Sequence, residues 1–306
     1  MRILFIFLDG VGLGDDNPQI NPFAAAQTPN LQKLLGGQQL LAKIAPYEGE
    51  SASLLALDAC LGVDGLPQSA TGQAALLTGV NVPAAIGYHY GPKPNPPIAK
   101  FLKNGNLFIK LIKHKKRAAL LSAYPPRYFE AIASGLRIYS AIPLAVTSAG
   151  IALKTSQDLA AGEALAADFT GQGWHEHLGM SEVPVLTPRQ AGERLGVIAQ
   201  NYDLAFFEFW LTDYAGHRQR MEDALDLLGN FDQVVGGLVE KWDTEEGLIL
   251  LTSDHGNLED LSTRRHTANP VPALLIGSQK NRSDFSVNLK NLADVTPAIL
   301  RGLSLD

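Results

Sequence analysis

Residues Gly247–Pro272 read GLILLTSDHGNLEDLSTRRHTANPVP. The stretch opens on Leu248, Ile249, Leu250 and Leu251, then turns polar at Thr252 and Ser253 and presents Asp254 and His255. An apolar run this short and unbroken predicts a strand buried on both faces of a parallel sheet. In such sheets ligands bind beyond the carboxyl ends of the strands, where Asp254 and His255 fall. His266 follows eleven residues after His255, past a polar loop. Alone, the stretch fits either metal ligands or a capping Asp with two surface histidines.

The same pattern occurs twice more. Ile3–Leu8 (ILFIFL) stops at Asp9-Gly10, and Leu204–Leu211 (LAFFEFWL), broken only by Glu208, stops at Thr212-Asp213. His217 follows Asp213 at i+4, one helical turn on. Three buried strands that each deliver a carboxylate to one edge create repulsion, since like charges raise one another's pKa. Divalent cations between them remove that cost, so the convergence points to metal. Glycines at 10, 12 and 14 permit a tight turn, but no helix start follows them, so this is not a dinucleotide fingerprint.

Composition frames the reading. The 306 residues are 46% hydrophobic and 18% charged, as in a globular protein with a large core. A net charge of −6 speaks against nucleic acid and anionic membrane surfaces as partners. The single cysteine, Cys60, fits a reducing cytosol. ILFIFL is too short for a signal-peptide core and runs straight into Asp9, and no segment is long enough to span a membrane. A cytoplasmic protein is the expectation. Nothing in the sequence specifies an oligomeric state.

Along the chain, Gln68–Gly79 (QSATGQAALLTG) predicts a helix with Ser69 or Thr71 at its N-terminus. A hydroxyl there is ordinarily a cap. It can also be a nucleophile, because the N-terminal amides and dipole favour an attached phosphate or sulfate and a divalent ion can activate the hydroxyl. Thr28-Pro29 predicts another helix start, with Thr28 as cap. Residues 187–201 and 221–239 read as helices and Phe206, Phe207, Phe209 and Trp210 as core. From about 125 to 185 the chain is rich in small residues and has no strand ending in a carboxylate. It is read as a small cap inserted into a discontinuous core of residues 1–124 and 186–306. Its His175 and His177 are read as surface residues.

These pieces resemble the alkaline phosphatase superfamily, and within it the branch of cofactor-independent phosphoglycerate mutase and phosphopentomutase. The resemblance rests on FLDGVG at Asp9, a helix-start Thr at Thr71, LTDYAGH with Asp213 and His217, TSDHGNLED with Asp254 and His255, and HTANPVP with His266. It implies an α/β fold: a mostly parallel central sheet with helices on both faces. It also implies two divalent ions, Mn²⁺ or Zn²⁺, one on Asp9, Thr71, Asp254 and His255 and the other on Asp213, His217 and His266. Thr71 would be the nucleophile, forming a phosphothreonine. Arg218, Arg264 and Arg265 stand near ligands and are candidates for binding a small phosphorylated substrate. SATGQAALLTG departs from the GNSEVGH of phosphoglycerate mutases, and its ALLTG is similar to sulfatases and nucleotide pyrophosphatases. With few basic residues in 125–185, the expected activity is phosphohydrolysis. Phosphomutase activity is the alternative, and a non-catalytic domain stabilised by metal the third.

Overall fold

The computed structural model describes residues 1–305. Seven strands form one sheet: β1 (Arg2–Leu8), β2 (Tyr47–Glu48), β3 (Ala52–Leu57), β4 (Ala118–Leu120), β5 (Leu204–Phe209), β6 (Gly247–Thr252) and β7 (Val271–Gly277). Their order is β2-β3-β7-β6-β1-β5-β4. The neighbours β6, β1, β5 and β4 are parallel, whereas β7 opposes β6, β3 opposes β7 and β2 opposes β3. Only β7 and β2 therefore run against the rest, and the sheet is mostly parallel.

The apolar runs are buried on both faces, as uninterrupted hydrophobicity requires. Leu4, Ile6 and Leu8 of β1 share one cluster with Ala205, Phe207, Phe209, Ile249 and Leu251. Ile3, Phe5 and Phe7 share another with Leu204, Phe206, Leu248 and Leu250 on the opposite face. The first face is covered by the Pro188–Ala199 and Met221–Lys241 helices, the second by Ser69–Thr78, Pro96–Gly105, Leu107–Lys113, Ala141–Ser148 and Val295–Gly302. Among the described residues no helix is long and apolar enough to cross a membrane.

Residues 125–185 pack in three ways. Tyr128, Ala141, Ile142, Ala145 and Val146 join the second cluster, and Leu165 and Phe169 join the first. Leu159, Ala164, Ala166, Trp174 and Val183 form a small cluster of their own with Ala123. His175 spends its Nε2 on the Val183 carbonyl, at 2.6 Å.

Two local expectations are corrected. Thr28 precedes the Pro29–Leu34 helix but makes no side-chain cap bond. The buried carboxylate of Asp232 caps it instead, accepting from Asn30 N at 3.2 Å and Leu31 N at 2.8 Å. Trp210 is 46% exposed, because β5 ends one residue earlier and the chain turns into the Leu211–Arg218 helix.

The Pro188–Ala199 and Met221–Lys241 helices approach backbone to backbone at glycines. A Cβ on Gly192 would lie 1.9 Å from the Val234 carbonyl oxygen, and one on Gly237 would lie 2.1 Å from that of Arg189. Gly229, on the same long helix, would meet nothing within 4 Å. Gly192→Ala and Gly237→Ala are expected to destabilise by about 1–3 kcal/mol or more through overpacking. Gly229→Ala should stabilise by roughly 0.5–1 kcal/mol through helix propensity. Urea unfolding of the three variants checks this, and equal effects would show that the helices are not in this close register.

Candidate metal centre

Because β1 lies between β5 and β6, their three carboxyl ends are adjacent, with Leu8 opposite Phe209 and Phe7 opposite Thr252. Asp9 leaves β1 with its amide donating to the Phe209 carbonyl at 3.1 Å. Asp213 and His217 lie one turn apart on the Leu211–Arg218 helix, with His217 Nε2 3.4 Å from Asp213 Oδ2. Asp254 and His255 follow β6 and are fully buried. His255 Nε2 stands 3.4 Å from Asp9 Oδ1 and 3.6 Å from Asp254 Oδ2. His266 returns from its loop to place Nε2 3.7 Å from Asp213 Oδ1, its ring stacked on His255 at 3.7 Å.

The ring orientations are consistent. The Nδ1 atoms of His266, His217 and His255 face the carbonyls of Pro67 (2.8 Å), Arg264 (2.9 Å) and Gly256 (3.3 Å). A nitrogen facing a carbonyl carries a proton, so each ring, when neutral, turns the Nε2 lone pair toward the carboxylates, the arrangement a metal-binding imidazole needs. Ligand atoms of Asp213, His217 and His266 lie within 4.8 Å of one another, as do those of Asp9, Asp213 and His255. Asp213 belongs to both groups.

The charge balance explains what holds this cluster. Burial raises the Asp9 pKa well above the ordinary carboxylate range, and the negative charges of Asp254 and Asp213 raise it further against the lowering influence of the adjacent His255 imidazole. Burial alone would depress His255, but Asp254, Asp9 and Asp213 outweigh it and push the imidazole up to about 10. His266 is lowered, by burial and by the neighbouring His255 charge. With protein atoms alone, His255 is thus the cation among three carboxylates. Asp9 Oδ1 is buried with no hydrogen-bond partner among the described residues. An orphaned carboxylate oxygen and converging imidazole lone pairs fit a divalent cation held by histidine and carboxylate ligands.

Close backbone approaches make the cluster possible. Gly10 has φ +68°, and a Cβ there would lie 2.6 Å from Asp213 Oδ1. On the Ser69–Thr78 helix, a Cβ on Gly72 would lie 2.6 Å from the Asp254 carbonyl oxygen, so only glycine lets this helix reach the β6 loop.

That helix presents a different hydroxyl from the one anticipated. Thr71 is not brought to the cluster: its Oγ1 donates to the Gln68 carbonyl (3.0 Å), the Tyr90 carbonyl lies 3.3 Å away, and it accepts from Tyr90 N (3.2 Å). Ser69 takes the position instead, with Oγ 3.0 Å from His255 Nε2. Gln73, one turn on, donates Nε2 to Asp254 Oδ2 at 2.9 Å. The signal was in the helical phase. Ser69, Gly72 and Gln73 sit at i, i+3 and i+4 on one face, whereas Thr71 points away from it.

Two further residues were missed. Asn257 donates Nδ2 to Asp213 Oδ1 at 2.7 Å. Glu259, nearly fully buried, accepts from Gly12 N (2.9 Å), Asn257 N (2.8 Å), Asn269 Nδ2 (3.0 Å) and the Thr267 hydroxyl. It thereby ties together the loops bearing Asp9, His255 and His266. The arginines Arg218, Arg264 and Arg265 are exposed, and the structure does not bring them onto the ligand cluster. Arg218 Nη1 donates to Tyr214 OH at 3.0 Å, and Arg264 Nε faces the His217 carbonyl at 3.3 Å.

Comparison with known proteins agrees with this geometry. The sequence profile of the Metalloenzyme superfamily matches residues 191–306, which carry Asp213, His217, Asp254, His255 and His266. Curated relatives include 2,3-bisphosphoglycerate-independent phosphoglycerate mutases of Syntrophotalea carbinolica and Clostridium botulinum. The first is 31% identical over 118 residues, 36% of this chain and 22% of the relative. The second is 34% identical over 111 residues, 34% of this chain and 21% of the relative. The match thus spans about a fifth of those proteins' length. Over the whole chain the fold is alkaline phosphatase-like. The alkaline phosphatase of the Antarctic bacterium TAB5 superposes with a TM-score of 0.54 at 12% identity, covering 100% of this chain and 98% of its own. Leishmania mexicana phosphoglycerate mutase superposes with a TM-score of 0.51 at 12% identity, covering 99% and 95%.

Metal binding has a direct thermal signature. Addition of Mn²⁺ should raise the melting temperature, since a ligand at 100 times its Kd stabilises the native state by about 2.7 kcal/mol. Asp213→Asn, which alters both ligand groups, should blunt the rise more than Asp254→Asn. An unchanged melting curve on adding or chelating metal would contradict the site.

Proposed function

We propose that the chain catalyses metal-dependent phosphoryl transfer on a small phosphorylated metabolite, with Ser69 as nucleophile, and that water is the final acceptor. The observation that carries this reading is the Ser69 hydroxyl, 3.0 Å from His255 Nε2 on the helix face turned to the carboxylates. Two divalent ions, Mn²⁺ or Zn²⁺, are assigned to the cluster. Asp213, His217 and His266 would hold one, and Asp9, Asp254 and His255 the other, with Ser69 replacing Thr71 as the hydroxyl beside it. When bound, such ions favour ionisation of a nearby hydroxyl and offset charge on a transferring phosphoryl group.

The chain's own residues do the rest. Ser69 Oγ attacks phosphorus, the ester P–O bond breaks, and the alcohol leaves with a proton. The phosphoserine sits at the N-terminus of the Ser69–Thr78 helix, whose dipole favours negative charge. Water then attacks phosphorus, the P–Oγ bond breaks, and inorganic phosphate departs. Gln73 and Asn257 hold Asp254 and Asp213 in place through this cycle. Arg218, Arg264 and Arg265, exposed beside the His217 and His266 segments, are assigned to the substrate's anionic oxygens.

The named relatives favour a second reading, isomerisation of a phosphorylated sugar acid. A mutase must retain its dephosphorylated substrate and exclude water with a closing element. Residues 125–185, proposed as a cap, are anchored into both faces of the core by Ala145 and Phe169, which supports hydrolysis.

Ser69→Ala is expected to abolish release of phosphate from phenyl phosphate with Mn²⁺. Thr71→Val should keep turnover within severalfold while costing about 1 kcal/mol for its lost backbone bonds. Phosphate release should also exceed any conversion of 3- to 2-phosphoglycerate, followed by ³¹P NMR. Normal turnover by Ser69→Ala would overturn the nucleophile, and isomerisation without phosphate release would overturn hydrolysis.

A further inference from the structure

Beside the metal cluster, at the next step along the sheet edge, β5 and the segment after β4 enclose a cavity of about 890 Å³. Its interior is aromatic: Phe169, Phe209, Phe231 and Trp174 line it, with Tyr124 and Tyr128 on one wall. Phe209 and Phe231 stack at 5.7 Å, and the tilted rings of Tyr124 and Tyr128 lie 4.5 Å apart. The cavity also adjoins the cluster through the chain. The Phe209 carbonyl accepts the Asp9 amide, and Trp210 and Leu211, both on the wall, lead into the helix that carries Asp213.

Two polar groups within it have no role in the cluster. Glu208 interrupts the apolar run of β5 and is only 9% exposed. Its Oε1 accepts from the Tyr124 hydroxyl, and burial pushes its carboxyl up to about 7 despite that bond. Tyr128 is 7% exposed, and its hydroxyl has no partner among the described residues. An unpaired buried phenol costs stability unless a ligand satisfies it, and a carboxylate with one donor, as Glu208 has in Tyr124, keeps acceptor capacity for another. The other titratable side chains of the wall are exposed or held, Glu176 being exposed and accepting from Gln172 Nε2 at 2.7 Å and His177 being exposed. Asp168 caps Gly171 N at 2.9 Å and Gly173 N at 2.7 Å. Arg127 and Arg137 are exposed, Arg137 lying over the Tyr128 ring at 5.0 Å.

The geometry points to this cavity as the pocket for the substrate's alcohol portion, an aromatic ring bearing an amino group whose N–H donates to Glu208. The inference rests on the reading of the neighbouring cluster as a phosphoryl-transfer centre. Aromatic walls accept a planar ring face to face or edge to face. An amino donor satisfies the Glu208 acceptor and comes within reach of the Tyr128 oxygen, whereas the carboxylate of an alcohol such as glycerate finds cations only at the exposed Arg127 and Arg137 and meets an acid and aromatic walls inside. The substrate class is therefore a phosphate monoester of an amino-substituted aromatic alcohol.

Binding and turnover test the two layers separately. Quenching of tryptophan fluorescence, with Trp174 and Trp210 in the wall, reports binding of 5-amino-1-naphthol against 1-naphthol. At pH 8, above the raised Glu208 pKa of about 7, the amine is expected to bind roughly tenfold tighter, the usual effect of a hydrogen bond to a charged group. Glu208→Met should abolish that preference, and Glu208→Gln, which keeps an acceptor, should retain most of it. Tyr128→Phe removes a hydroxyl unpartnered in the protein, so it keeps the fold and should lower the preference severalfold. With Mn²⁺, 5-amino-1-naphthyl phosphate should show a lower KM than phenyl phosphate. Equal binding of the two naphthols by the wild type, or an amine preference unchanged in both Glu208→Met and Tyr128→Phe, overturns the pocket. Amine-selective binding without turnover of either ester supports the pocket and sinks the phosphoryl-transfer reading instead.

Discussion

Asp9 and Asp254 follow β1 and β6, Asp213 stands in the first turn of the helix after β5, and the three face one another around a single buried imidazole, that of His255. Carboxylates this close oppose one another's ionisation, and burial adds to the cost by removing water. The protein answers with histidine charge and with hydrogen bonds from Gln73 and Asn257, yet Asp9 still keeps one buried oxygen unpartnered. A cluster that remains under-neutralised after all its protein contacts fits a metal-binding site, since a bound cation would bring the missing charge.

The fold supplies that convergence at little local cost. Parallel strands buried on both faces hold their ends in register, so adjacent positions in the sheet become adjacent functional groups. Glycine at 10 and 72 lets the β1 turn and the Ser69–Thr78 helix come closer than any side chain would allow. Glu259 then fastens the three ligand loops to one another through four donors, so the ligand spacing depends on its carboxylate as much as on the strands. The buried acid at Glu208 stands apart from this scheme, on a different wall and with different neighbours.

What could be read from the chain follows from range. β1, β5 and β6 were legible because each is an apolar run that ends abruptly in a carboxylate, a local pattern set by two-faced burial. β3 and β7 were not. Leu54-Leu55-Ala56-Leu57 has no β-branched member, and β7 carries Pro272 at its second position, where it pairs with Ala56 of β3 just before the pairing of β7 with β6 begins at Ala273. The ligands were legible as residue types at strand ends, but the choice between Ser69 and Thr71 turned on which helix face meets Asp254. Gly72 held that information, through a close approach visible only once the helix is packed. Glu259 and Asn257 sit within the quoted stretch, yet their partners lie on loops from other parts of the chain.

Crystallographic anomalous scattering tests the central claim most directly. Crystals grown with Mn²⁺ or Zn²⁺ and measured at the metal edge are predicted to show a peak at about 2.0–2.3 Å from an Asp213 oxygen and the Nε2 atoms of His217 and His266. A second peak is predicted beside Asp9, Asp254 and His255. An anomalous map empty at both positions, with His255 still bridging the carboxylates in the presence of metal, would contradict the account.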